Sequence, residues 1–102
     1  MRTALLVLAA LALSACGGGD SDHAIAACKA AIAEKLANKN YRISEAEMRA
    51  GVTEEQADLM HVSAPIVFDP GLPREYTQTF DCRVRFTAGK DEPDVISLNF
   101  VW

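Results

Sequence analysis

The sequence predicts an α+β domain: one N-terminal helix packed on a three- to four-stranded antiparallel sheet, with a helix-to-strand disulfide. Three observations predict it. Ile25, Cys28, Ile32 and Leu36 recur at the spacing of one helical face. Tyr76, Gln78, Phe80, Cys82, Val84 and Phe86 alternate with Thr77, Thr79, Asp81, Arg83 and Arg85, the period of a strand with one buried side. Each of these apolar patterns contains one cysteine, so a helix laid on the sheet would bring Cys28 to Cys82.

Composition bounds the rest. The chain has 102 residues, is 50% hydrophobic and 24% charged, and carries a net charge of -4. That length allows one small domain. The acidic balance argues against a nucleic-acid partner, which requires a basic surface, and the apolar fraction argues against disorder.

The chain opens on Met1-Arg2-Thr3 and an unbroken apolar run from Ala4 to Leu13. A basic start, a short apolar run and small residues after it make a secretory signal. The run falls well short of the roughly 20 residues that span a bilayer. Leu13-Ser14-Ala15-Cys16 resembles the lipobox of bacterial lipoproteins. The resemblance implies removal of residues 1–15, acylation of Cys16, and membrane attachment through its acyl chains. Gly17, where an Asp would favour retention at the inner membrane, points to the outer membrane facing the periplasm. One acyl chain anchors marginally, and two or more anchor stably. The competing readings of this segment are an ordinary signal peptide with an incidental cysteine, or a short buried helix. Residues 16–22 are then a lipidated cysteine and flexible tether, and residues 23–102 the single domain.

With Cys16 assigned to lipid, Cys28 and Cys82 remain, 54 residues apart. The envelope outside the inner membrane permits disulfides, and their pairing is expected. Unpaired buried thiols or a metal or redox site are the alternatives. No Cys-x-x-Cys occurs, and His23 and His61 lack ligand spacing with either cysteine.

The helix is expected from near His23, capped by Ser21 or Asp22, to about Ala37, with Asn38-Lys39-Asn40 as its stop. A strand is expected over about 42–49. The same stretch offers a helical alternative, with Ser44-Glu45-Ala46-Glu47 as a capping box and Gly51 as terminator. Thr53-Glu54-Glu55-Gln56 reads as a second capping box or a polar turn. Met60, Val62, Ala64, Ile66 and Phe68 form the next strand, and Pro65 within it argues for an edge position or a bulge. Asp69 to Arg74 is a turn cluster. After the Tyr76–Phe86 strand and a polar loop, Ile96, Leu98, Phe100 and Trp102 form the inward side of the last strand. All the aromatics but Tyr41 fall on inward positions of these strands.

The order of helix cysteine, an apolar-Ser-acidic-apolar first strand (Ile43-Ser44-Glu45-Ala46) and a cysteine in the penultimate strand resembles small uncharacterised bacterial envelope domains. Their first strand usually opens on an aromatic where Ile43 stands here. The resemblance implies a fold and no activity.

No nucleophile elbow, zinc-protease, phosphate-loop or dinucleotide motif occurs. His61 and Ser63 share a strand face without an orienting acid in view, and His23 reads as solvated. Glu54, Glu55 and Asp58 read as a solvated turn rather than a calcium loop. No catalytic residues, metal or cofactor are therefore expected. Candidate partner-binding residues are Arg83 and Arg85 on the outer sheet face and Leu72 at the turn tip. The plainer readings are a solvated face and a tip folded back on its domain. The functional expectation is a non-catalytic envelope lipoprotein that binds an unknown partner. The alternative is an inhibitor of an envelope hydrolase, of protease or lysozyme type.

Overall fold

The computed structural model describes residues 19–101. Cys16, the lipobox and Trp102 lie outside the described residues.

Helix α1 runs Gly19–Lys35. It therefore starts inside the segment expected to be tether. Asp20 and Asp22 in its first turn favour the positive end of the helix dipole, and Lys35 favours the other end. Its buried side is Ala24, Ile25, Cys28 and Ile32. Leu36, whose N–H still reaches Ile32 O at 2.8 Å, continues that stripe just past the helix.

Strand β1 is Tyr41–Ile43 and is followed by the short helix α2, Glu45–Ala50. The expected strand over 42–49 is thus only its first part, and the capping signals prevail. Ser44 has extended backbone and its hydroxyl accepts from Glu47 N–H at 3.3 Å. Gly51 N–H closes the other end on Glu47 O at 3.0 Å. Met48 is the one buried side chain of α2. Ser44→Ala is expected to lower stability by about 1 kcal/mol, the usual loss for an N-cap, measurable as a lower urea midpoint.

Strand β2, Val52–Gln56, occupies the stretch expected as a turn or second capping box. Strand β3 is Leu59–Phe68, β4 is Tyr76–Arg85 and β5 is Asp94–Val101. All pairings are antiparallel, and the sheet order is β1-β3-β4-β5. β2 also pairs with β3, giving five strands. Because β4 pairs with β3 along its whole length, β1 and β2 share the other edge of β3, with α2 between them.

Pro65 is therefore not on an edge strand. Ser63 N–H donates to Gly51 O at 3.1 Å across this side of β3. Backbone donors alternate sides along a strand, so Pro65, two residues on, turns its nitrogen the same way. It meets the interval where α2 replaces the strand, and the missing donor leaves no ladder bond unmade.

β5 departs from the expected alternation. Ser97 pairs with Arg83 but Val95 pairs with Val84, so a bulge leaves Ile96 as the extra residue. Val95 packs on the core in place of Ile96, which is 50% exposed.

α1 lies on one face of the sheet. The core joins Ile25, Cys28 and Ile32 of α1 and Met48 of α2 to Val62, Ile66, Phe80, Cys82 and Val84 of the sheet. Cys28 and Cys82 are fully buried and disulfide-bonded, with Cα atoms 6.2 Å apart. Phe68 stacks on Tyr76 at 4.9 Å and meets Phe100 edge-on at 6.3 Å, closing the core at the sheet end where Tyr76 is partly exposed.

Candidate functional site

The face of the sheet opposite α1 carries the other half of each strand's alternation, polar along β4 and mixed along β3. Register sets the rows: His61 beside Arg83 and Ser97, then Ser63 beside Asp81 and Asn99, then Pro65 beside Thr79 and Val101. Of these three rows the first two hold titratable groups, and Arg85 and Asp94 stand in the row before them, beside Leu59.

His61 Nε2 lies 3.0 Å from Asp81 Oδ1, on the diagonal between adjacent rows. An acid does orient His61, although none was in view from the sequence pattern. Its signal is the β3–β4 hairpin register, which sets Asp81 opposite Ser63. Ser63 stands opposite Asp81 in the register, and no hydrogen bond joins His61 to a hydroxyl among the described residues.

Arg83 donates from Nε to Glu55 Oε1 at 2.9 Å and from Nη2 to Oε2 at 3.4 Å. This two-pronged bond, and then the Coulomb attraction of Glu55, raises the pKa of Arg83 above its ordinary value. Arg85 Nε is 3.8 Å from Asp58 Oδ2. Glu55 and Asp58, expected as solvated turn carboxylates, are thus partners of the two candidate arginines. A partner drawn to Arg83 or Arg85 would have to compete with them.

Leu72 lies at the other end of the same hairpin. Arg83 stands seven residues beyond Tyr76 along β4, already about 23 Å of strand at ~3.3 Å per residue. Leu72 does not form one patch with Arg83 and Arg85. The tip is braced from within: Leu72 N–H donates to Asp69 O at 3.1 Å, Glu75 N–H to Leu72 O at 3.0 Å, and Gly71 N–H to Glu75 Oε1 at 2.8 Å. Asp69 N–H reaches Asn40 O at 2.8 Å and ties the tip to the α1–β1 connection. Asp69 and Gly71 hold positive φ angles of 51° and 80°, a conformation in which Asp is among the better tolerated residues and Gly is unstrained. Leu72 is 45% exposed and does not fold back on the domain.

Among the described residues three hollows stand out, all small. A hollow of about 240 Å³ lies between α1, β1 and α2, walled by Ala33, Tyr41, Ile43 and Met48 with Lys29 and Glu45 at its polar side. A second, of about 230 Å³, lies between Asn38–Asn40 and the Phe68–Tyr76 stack. Both fall below the roughly 300–1,000 Å³ of small-molecule sites. A third, of about 330 Å³, is walled by Leu72, Pro73 and Arg74 alone, a dent beside the tip rather than an enclosure. Among the described residues no three His, Cys, Asp or Glu side chains converge as a metal site. No described helix is long and apolar enough to cross a membrane.

Compared with known protein families, curated proteins and solved structures, the chain finds no match.

Proposed function

We propose that the chain is a bacterial lipoprotein, attached through acyl chains on Cys16, whose domain is a non-catalytic docking module for an envelope protein. The observation that carries this reading is the hairpin tip: an internally bonded loop that holds Leu72 out in solvent. An exposed apolar side chain on a rigid support loses little entropy on binding, which is the character of a contact anchor. The buried Cys28–Cys82 disulfide supports export, since such bonds persist outside the reducing cytosol. Gly17 supports the outer membrane, facing the periplasm. Cys16 precedes α1 by only a short glycine stretch, so an anchor there keeps the domain close to the lipid. The acidic chain brings no attraction of its own to anionic headgroups.

Two measurements test the reading. Radiolabelled palmitate is expected on the parent chain and absent from Cys16→Ser. In membrane crosslinking, the partner captured by the parent is expected to be lost with Leu72→Glu and kept with Arg83→Ala and Arg85→Ala. The reverse pattern would move the docking surface to the sheet face, and a chain found unacylated in the cytosol would end the proposal.

The same braced tip favours a second reading, an inhibitor that inserts Leu72 into the cleft of an envelope protease or lysozyme. Full activity of a panel of such enzymes at micromolar protein would remove it.

A further inference from the structure

We infer that β5 is an interface, and that it pairs antiparallel with β5 of a second copy of this chain to make a two-fold dimer with one continuous sheet. The inference does not depend on lipid attachment or on the tip.

The two edges of the sheet are built differently. On the β3 side, the edge is broken into β1 and β2 by α2, and carries Arg42, Glu54 and Glu55. Ser63 N–H is taken by Gly51 O, and Pro65 has no donor to offer. Short segments, charges and proline are the devices that keep an edge from pairing with another chain. On the other side, β5 pairs with β4 and with no other strand among the described residues. Val95 to Val101 contains no charge and no proline. Its one charged residue, Asp94, stands at the first position and is held by Lys90 Nζ at 2.8 and 3.0 Å. The bulge at Ile96 bends the start of the strand and leaves Ser97–Val101 regularly paired to β4. Every second backbone N–H and C=O along that stretch points away from β4, a row that a further strand can pair with.

The strand is suited to its own copy. Antiparallel pairing about a two-fold axis normal to the sheet puts Leu98 and Phe100 of one copy beside those of the other, on the α1 side. Both are only partly buried in the single domain. Val101, 47% exposed, lies with Ser97 and Asn99 on the open face. Asp94 stands at the first position of the strand, so antiparallel pairing does not oppose the two Asp94 carboxylates. A two-fold arrangement makes each contact twice and requires only that the strand be complementary to itself. The area of one strand edge is at the low end for specific association, which makes the dimer reversible. Each copy is acidic, so the bodies repel and screening salt strengthens the pairing.

The test uses the full chain in the membranes of expressing cells. Ser97→Cys, Asn99→Cys and Val101→Cys are made singly and co-expressed in pairs, oxidised, and run on non-reducing gels. Arg42→Cys on the opposite edge and Thr77→Cys on the open face are references that share Cys16 with the parent. Directly opposed residues in an antiparallel pair have Cα atoms about 4.5–5.5 Å apart, within disulfide range. A covalent dimer is expected at the β5 position or pair nearest the axis and not at the references. Its yield should rise with salt, while mass spectrometry shows Cys28–Cys82 intact. Dimer at no β5 position, equal dimer at the references, links only to other proteins, or a yield that falls with salt would each overturn the inference.

Discussion

Replacing Cys28 and Cys82 together by alanine is expected to lower the unfolding free energy by more than the roughly 4 kcal/mol of the crosslink, because the packing of two buried sulfurs is lost with it. The disulfide closes a loop with a sequence separation of 54 residues, and the chain-entropy estimate for such a loop is about 4 kcal/mol at 25 °C. A domain of this size has about 5–15 kcal/mol in total, so the loss removes much of the margin. The bond is also where the two layers meet, since Cys28 lies on the buried side of α1 and Cys82 in the middle of β4, both fully buried. Reduction without mutation separates the contributions. Reduced thiols keep most of the packing and lose the crosslink, whereas alanine loses both. Urea unfolding followed by circular dichroism should order the midpoints as oxidised, then reduced, then double alanine. Equal midpoints for the oxidised and reduced protein would mean that the unfolded chain is already compact enough to hold the two segments together.

What the sequence made legible follows from which residues are buried on one side only. α1 shows its stripe because Ile25, Cys28 and Ile32 are covered while Lys29, Glu34 and Lys35 are not. β4 shows its period because Phe80, Cys82 and Val84 face the helix and Thr79 and Arg85 face solvent. The disulfide follows from those two patterns. α2 is less legible because six residues with one buried side chain, Met48, cannot display a helical repeat. Only its ends, Ser44 and Gly51, carry the signal. β2 is illegible for another reason: after Val52 its residues are exposed whichever way they point, so no alternation arises. The bulge at Ile96 is a relation between β4 and β5 and leaves no mark in β5 alone. The candidate site shares that property. Asp81 reaches His61, Glu55 reaches Arg83 and Asp58 reaches Arg85 only through register. The tip was legible in Pro70-Gly71-Leu72-Pro73, because the residues that force a turn are local.

Gly51→Ala is expected to cost about 3 kcal/mol, the upper end of the usual cost of forcing extra volume into a packed site. The reason is position, not conformational freedom. Gly51 has φ -97° and ψ 12°, which other residues can adopt. A Cβ built there would lie 1.8 Å from the carbonyl oxygen of Ser63 and 3.0 Å from its carbonyl carbon. That obstacle is backbone and has no rotamer by which to withdraw. β3 cannot yield either, since Ser63 is paired to Asp81 of β4 on its far side. Relief therefore means moving α2 off β3, which breaks the bond from Ser63 N–H to Gly51 O and lifts Met48 from the core. Gly71→Ala supplies the contrast. Its φ is +80° and nothing lies within 4 Å of the added carbon, so its cost is the left-handed penalty of roughly 1–2 kcal/mol. In urea unfolding Gly51→Ala should fall further than Gly71→Ala, with faster amide exchange at Ser63 in the first variant alone. If the two variants unfold at the same midpoint and Ser63 stays protected in both, α2 has room to shift. The edge that α2 interrupts would then be less firmly closed than its geometry implies.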